Sequence, residues 1–82
     1  MKPLTRRQRE AILLVAAGRP NVQIAALLGI TPNSVGEILS AAYRRLGAND
    51  RAHAVTLAIY RGEIGHFDLA RIAHETTAHE AA

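Results

Sequence analysis

The sequence predicts an all-α fold of four short helices, followed by a short fifth helix near the C-terminus. Glycines follow several apolar stretches of helical periodicity, and residue types that favour helix N-caps precede those stretches. β-branched residues nowhere alternate with polar ones for as long as a strand requires. The chain has 82 residues and no cysteine, so it has the length of one domain that packing alone must hold together.

The first helix is predicted over residues 6–17. Thr5 is its expected N-cap, and Gly18 ends it because glycine readily adopts the left-handed conformation that closes a helix. Its inward stripe comprises Ala11, Ile12, Val15 and Ala16. Leu13 lies outside this stripe, so we expect it either as an isolated surface leucine or covered by an apolar face of the C-terminal segment.

A second and a third helix are predicted on either side of a tight turn. Asn21 is the expected N-cap of a helix over 22–28, which Gly29 ends. Thr31 is the expected N-cap of a helix over 32–46. The inward stripe of the third helix comprises Val35, Ile38, Leu39, Ala42 and Leu46. Two helices joined by a short glycine turn form a helix-turn-helix unit.

A fourth helix and an extension complete the chain. Asp50 is the expected N-cap of a helix over 51–61, whose inward residues are Ala54, Val55, Ala58 and Ile59. Residues 1–64 are predicted to form the domain. Residues 65–82 are predicted to form an extension with an amphipathic helix to about residue 78 and a frayed end.

Positive charge is concentrated in the predicted helical domain. Residues 1–61 carry nine Lys or Arg and three Asp or Glu, a net charge of +6, whereas residues 62–82 carry −3. A basic domain is compatible with a polyanionic partner such as double-stranded DNA. The acidic extension is not expected to take part in that contact.

Several segments carry the pattern of a known family. They are Leu4-Thr5-x-Arg7-x-x-Glu10, Gly18-x-x-Asn21-x-x-Ile24-Ala25, Leu28-Gly29-Ile30-Thr31-x-x-Ser34-Val35, Tyr43-Arg44-Arg45-Leu46-Gly47-Ala48, Arg51, Ala54-Val55 and Gly62-Glu63-Ile64. Together they resemble the LuxR/GerE-type DNA-binding domain over residues 4–64. The resemblance implies a small DNA-binding transcriptional regulator. It also implies that the third helix reads the major groove and that the fourth mediates dimerisation. The lack of cysteine and of an apolar segment behind the N-terminal charges favours a cytoplasmic location.

The chain departs from this family pattern on the helix that would read DNA. Gly36 and Ile38 replace the usual Lys and His, so a cation is missing from the third helix. Gln8 replaces a usual Glu, and Pro20 replaces a usual Ser. Glu37 adds a carboxylate that phosphates would repel, although a carboxylate can accept a hydrogen bond from cytosine N4.

The candidate site residues fall into two groups. The predicted DNA contacts are Arg19, Asn21, Thr31, Asn33, Ser34, Glu37, Ser40, Ala41, Arg44 and Arg45. The predicted dimer or partner interface comprises Leu13, Leu57, Tyr60, Phe67, Leu69 and Ile72. Arg51 follows a helix cap and is expected to be structural. Arg6, Arg7 and Arg9 could bind phosphates. Pairing of Arg7 with Glu10, three residues further along the helix, is expected at least as strongly.

An alternative function is a protein-interaction module that modulates RNA polymerase, a sigma factor or another regulator, encoded by a phage or plasmid. No Ser-His-Asp grouping or other catalytic pattern occurs, so we expect no enzyme and no cofactor. His74 and His79 lie five residues apart rather than the four that place two zinc ligands on one helix face, so no metal site is predicted. No apolar run approaches the ~20 residues that span a bilayer, so no membrane partner is expected.

Overall fold

A computed structural model describes residues 3–65 and residue 68. Within this part of the chain there are four helices and no strand: α1 (Arg6–Ala16), α2 (Asn21–Leu28), α3 (Pro32–Leu46) and α4 (Arg51–Tyr60). The all-α prediction is therefore confirmed, and α1 and α4 each end one residue earlier than expected. The predicted C-terminal helix, with Phe67, Leu69 and Ile72, lies outside the described residues.

Side-chain caps begin three of the helices. The Thr5 hydroxyl accepts a hydrogen bond from the Gln8 amide (3.1 Å), and the Gln8 side chain accepts one from the Thr5 amide (3.0 Å). This reciprocal arrangement is a capping box, so Gln8 performs the role of the usual Glu. Thr31 caps α3 and Asp50 caps α4 in the predicted way.

The predicted N-cap of α2 is wrong. Pro20 occupies that position in an extended conformation without a side-chain hydrogen bond, and Asn21 is the first helical residue. The Asn21 side chain instead accepts a hydrogen bond from Arg51, at 2.7 Å. The side-chain oxygen expected to cap α2 is therefore bonded to the first residue of α4, 30 positions along the chain.

The core lies where α3 meets the other three helices. Its largest fully buried side chains are Ile12, Ile24, Val35, Leu46 and Ile64. The prediction that Ile59 points inward is wrong, because 46% of its surface is exposed. Ala16, Ile38 and Val55 are only half-buried at the edge of the core. The inward face of α4 therefore consists of Ala54 and Ala58, whose small side chains allow α4 to approach its neighbours closely.

The two ends of the domain are joined by polar contacts. The Leu4 amide donates to the Glu63 carboxylate (3.3 Å), which also lies 3.5 Å from the Arg9 guanidinium. Arg45 donates to the Pro3 carbonyl at 2.7 Å. Leu4 and Ile64 are both buried in the common core. The first and last described turns of the chain therefore stabilise each other.

Gly36 lies in the interior of α3 with open space around its Cα. A Cβ added there would meet nothing within 4 Å, and the residue does not have a positive φ. We expect Gly36→Ala to raise the free energy of unfolding by about 1 kcal/mol, the usual advantage of alanine over glycine in a helix interior. Urea denaturation followed by circular dichroism measures this change.

Gly47→Ala is the matched control for that prediction. Gly47 closes the same helix with a φ of +72°, which an L-residue adopts only at a cost, so this variant should be less stable than the wild type. If Gly36→Ala also lowered the free energy of unfolding, glycine would have a role in α3 beyond its small size.

Candidate nucleic-acid interface

α2 and α3 form the helix-turn-helix that the sequence predicts. Their axes are bent by 102° relative to each other, within the range of such units. Gly29 makes the turn in the left-handed conformation (φ +71°), and the Ile30 amide donates to the Ala25 carbonyl at 3.0 Å. Ala25 is buried, and its small side chain allows close packing in this region. The turn thus presents α3 at a fixed angle to α2.

One face of α3 is exposed along most of its length. Asn33, Glu37, Ser40 and Arg44 lie on it at spacings of three or four residues, and all four are exposed. Ala41 lies beside them and is half-buried. The structure therefore brings five of the ten predicted DNA contacts together on a single helix face, which we call the α3 face.

Two further predicted contacts lie at the start of α3. The Thr31 hydroxyl accepts from the Ser34 amide (3.1 Å) and donates to the Ser34 hydroxyl (3.0 Å). Thr31 is exposed and Ser34 is half-buried. The Thr31 side chain thus caps the helix and also bonds the Ser34 side chain, which places two hydroxyl oxygens near the positive end of α3.

The two adjacent arginines of α3 have different surroundings. Arg44 is exposed, and among residues 3–65 and 68 its guanidinium has no ion-pair or hydrogen-bond partner. Arg45 is half-buried, and one of its amino groups donates to the Pro3 carbonyl at 2.7 Å. Arg44 lies on the α3 face, whereas Arg45 lies on its flank and anchors the N-terminal segment.

The start of α2 is tied to α4 by Arg51. Its guanidinium donates to the Asn21 side-chain oxygen (2.7 Å) and to the Arg19 carbonyl (2.8 Å). The expected structural role of Arg51 is confirmed by these bonds. Arg19 itself donates to the Gln23 side chain at 3.2 Å. An open cleft of about 430 Å³ lies here, lined in part by Arg19, Asn21 and Arg51.

Arg51 also influences Tyr43 of α3. Burial raises the pKa of the Tyr43 phenol above its ordinary value of 10.0, and the Arg51 guanidinium beside it opposes part of that rise through its charge and a hydrogen bond. The phenol therefore remains neutral and able to hydrogen-bond well above neutral pH. The Arg51 guanidinium thus bonds the start of α2 and acts electrostatically on Tyr43 of α3.

The arginines at the start of α1 are paired with carboxylates. Arg6 and Arg7 lie 3.3 Å and 3.2 Å from Glu10, so the expected pairing of Arg7 with Glu10 is confirmed. Arg9 lies 3.5 Å from Glu63. Exposed ion pairs of this kind are weak, because solvent screens them. These cations contribute to the positive field of the domain but do not lie on the α3 face.

The predicted partner residues are divided between the core and the surface. Leu13 and Leu57 are half-buried against the core, so neither is an isolated surface leucine. Tyr60 is 86% exposed at the end of α4, beside the exposed Ile59. Residues 67, 69 and 72 of this predicted group lie outside the described residues.

Val22 and Leu27 are exposed residues of α2 that we did not single out from the sequence. They are 68% and 60% exposed. A signal for them exists, since six of the eight residues of α2 are apolar. A two-turn helix cannot bury so many apolar side chains on one face, so some of them must reach the surface.

No single helix in the described part of the chain is long and apolar enough to cross a membrane. α2 and α3 meet the length and composition criteria only when taken together, across their 102° bend.

Comparison with known proteins assigns a family to this architecture. Residues 2–58 match the GerE model, described as bacterial regulatory proteins of the luxR family. The match spans all of α1 to α3 and most of α4. It therefore includes the entire helix-turn-helix and the α3 face.

Curated relatives match about two thirds of the chain. The chain is 44% identical over 57 residues to a protein of Hyphomicrobium methylovorum named probable transcriptional regulatory protein SgaR, covering 70% of this chain and 27% of the relative. It is 45% identical over 56 residues to transcriptional activator protein BjaR1 of Bradyrhizobium diazoefficiens, covering 68% and 23%. It is 39% identical over 57 residues to transcriptional regulatory protein YdfI of Bacillus subtilis, covering 67% and 27%. The chain spans about a quarter of the length of these relatives.

Proposed function

We propose that this chain is a DNA-binding transcription regulator that docks α3 in the major groove of duplex DNA. The chain belongs to the luxR family of bacterial regulatory proteins. The observation that carries this proposal is the exposed α3 face on a helix-turn-helix bent by 102°. An α-helix fits the major groove by its dimensions, and the second helix of such a unit is the one that enters it.

The side chains of the α3 face divide by chemistry. Asn33, Glu37 and Ser40 carry groups that hydrogen-bond base edges, and Ala41 offers a methyl group for apolar contact. Arg44 carries a cation without a protein partner in the described residues, which suits a phosphate contact at the edge of the groove. We therefore assign base reading to the first half of α3 and phosphate binding to its end.

The remaining predicted contacts suit the phosphate backbone. The Thr31 and Ser34 hydroxyls and the positive end of α3 favour a nearby phosphate. Arg19 and the Asn21 amide nitrogen provide donors at the start of α2, where the first helix of such a unit crosses the backbone. Arg45 uses one donor for Pro3, and its other donors are available for a second phosphate contact.

Dimerisation through α4 belongs to the same proposal. Ile59 and Tyr60 form an exposed apolar pair at the end of α4, next to the half-buried Leu57. A two-fold dimer would present two α3 helices to two half-sites about one helical turn apart. Such a regulator would act in the cytoplasm, where bacterial DNA lies, and contact with RNA polymerase would follow from binding near a promoter.

The alternative of a protein-interaction module is not favoured. The family and the names of the relatives indicate transcription regulators rather than enzymes.

An in vitro selection from random duplex DNA tests the proposal directly. We expect salt-sensitive enrichment of a sequence with two-fold symmetry. A single enriched half-site would contradict the dimer, and no salt-sensitive binding to any duplex would contradict DNA docking.

Arg44→Ala tests the phosphate contact at the end of α3. Each phosphate contact contributes a slope of about −0.9 to log K against log salt, so we expect the slope to become shallower by about one unit. Fluorescence anisotropy with the selected duplex over a range of salt concentrations measures it. The Arg44→Ala, Arg45→Ala double variant should bind more weakly still.

Arg6→Ala is the control for this measurement. Its side chain is 92% exposed on α1, away from the α3 face, and its removal changes the net charge by the same amount. An equal change of slope in Arg6→Ala and Arg44→Ala would show that overall charge, rather than a contact of Arg44, sets the salt dependence.

A further inference from the structure

Among the carboxylates of residues 3–65 and 68, Glu37 is the one whose side chain has no partner within those residues. Glu10 pairs with Arg6 and Arg7, and Glu63 bonds the Leu4 amide and lies beside Arg9. Asp50 accepts from the His53 amide, and Asp68 accepts from the Gly65 amide. Within residues 3–65 and 68, Glu37 makes no ion pair or hydrogen bond through its side chain. Its role in the fold is therefore not that of a cap or a bridge.

The position of Glu37 means that its carboxylate would lower the affinity of α3 for DNA through repulsion by phosphates. It is exposed near the middle of the α3 face, four residues after Asn33 and three before Ser40. The adjacent Gly36 supplies no cation, and Arg44 is seven residues further along α3. A carboxylate placed toward a duplex is repelled by phosphates unless it finds a hydrogen-bond donor there.

The major groove offers such a donor in a sequence-dependent way. An ionised carboxylate only accepts hydrogen bonds, and guanine presents only acceptors on its major-groove edge. Cytosine presents the N4 amino group with no adjacent acceptor on the same base, whereas adenine places N7 beside its amino group. Among the four bases, cytosine is therefore the one that best matches a lone carboxylate.

We propose that Glu37 is a specificity-determining residue, which requires cytosine at one position of each half-site by accepting a hydrogen bond from its N4 amino group. This inference rests on the proposed docking of α3 in the major groove. It predicts that Glu37 acts mainly by rejecting other bases, because its repulsion by phosphates is offset only where the donor is present. The lack of a cation at Gly36 makes that rejection stronger.

Parallel selections with the wild type and Glu37→Gln test this role. We expect the wild type to prefer cytosine over guanine at one position by on the order of tenfold in affinity. The Gln amide both donates and accepts, so it also bonds adenine or guanine. We therefore expect Glu37→Gln to lose most of this preference at that position alone and to bind random duplex more tightly than the wild type.

Glu10→Gln is the matched control, because it removes the same charge from α1 and should leave every base preference unchanged. In N4-methylcytosine a methyl group replaces the amino hydrogen that faces the major groove. Placing this base at the preferred cytosine position should weaken DNA binding by the wild type. Unchanged base preferences in Glu37→Gln would overturn the role of Glu37, while DNA docking would stand. Failure of all three proteins to bind duplex in a salt-sensitive way would instead overturn the docking proposal.

Discussion

Ile24→Ala is expected to lower the free energy of unfolding by about 2–5 kcal/mol, because it removes a fully buried branched side chain and leaves a cavity. Ile24 belongs to the inward side of α2, a helix of eight residues that depends on packing for its stability. The loss would shift the thermal midpoint by about 4–8 °C per kcal/mol in a domain of this size. Urea and thermal denaturation followed by circular dichroism measure both quantities.

Leu27→Ala is the matched control on the same helix. Leu27 is 60% exposed, so we expect a change within about 0.5 kcal/mol, as for most surface substitutions. The two variants lose side chains of equal size three residues apart. Equal losses of stability in the two variants would contradict the assignment of Ile24 to the core and of Leu27 to the surface.

Arg51→Met is expected to lower the free energy of unfolding by about 2 kcal/mol. The variant keeps an unbranched side chain but loses the hydrogen bonds to Asn21 and to the Arg19 carbonyl, and hydrogen bonds to charged groups contribute about 1.5–3 kcal/mol each when fully buried. Because Arg51 is only half-buried, the expected loss is smaller than the sum. A double-mutant cycle with Asn21→Ala isolates the Asn21–Arg51 bond.

Measurements of DNA affinity can distinguish whether Arg51 positions α2 or contacts a phosphate itself. If Arg51 holds the start of α2 in place, Arg51→Met should weaken binding to the selected duplex without changing the salt slope by a full unit. Arg51→Lys keeps the charge but lacks the planar fork that reaches two acceptors, so we expect only partial recovery of stability. Full recovery in Arg51→Lys would show that charge alone matters, and unchanged stability in Arg51→Met would contradict the linking role.

Local features of the sequence were sufficient to predict the four described helices and three of their four N-caps. Thr5, Thr31 and Asp50 cap the helices for which they were predicted, because a capping residue acts only on amides within its own turn. Gly29 and Gly47 adopt the left-handed conformation for the same local reason. The α3 face could also be predicted, since its residues follow from helical spacing alone.

The features that sequence reasoning missed involve contacts between distant residues. Asn21 bonds Arg51, 30 positions away, and Arg45 bonds Pro3, 42 positions away. Neither partner lies within a few residues along the chain, so local patterns predict Asn21 as a cap and Arg45 as a DNA contact. Ile59 was misplaced because α4 packs through Ala54 and Ala58, which leaves the neighbouring stripe at the surface. The partner interface and the division of the chain after residue 64 stay predictions.

The contact between the two ends of the domain determines when the protein can complete its fold during synthesis. Leu4 leaves the ribosome well before Glu63 and Ile64, yet it hydrogen-bonds Glu63, 59 positions later, and shares its core with Ile64. Until that segment emerges, Leu4 in the nascent chain lacks both of these contacts. Because this contact between distant residues forms late, we expect the helices to fold together in one step rather than one after another from the N-terminus.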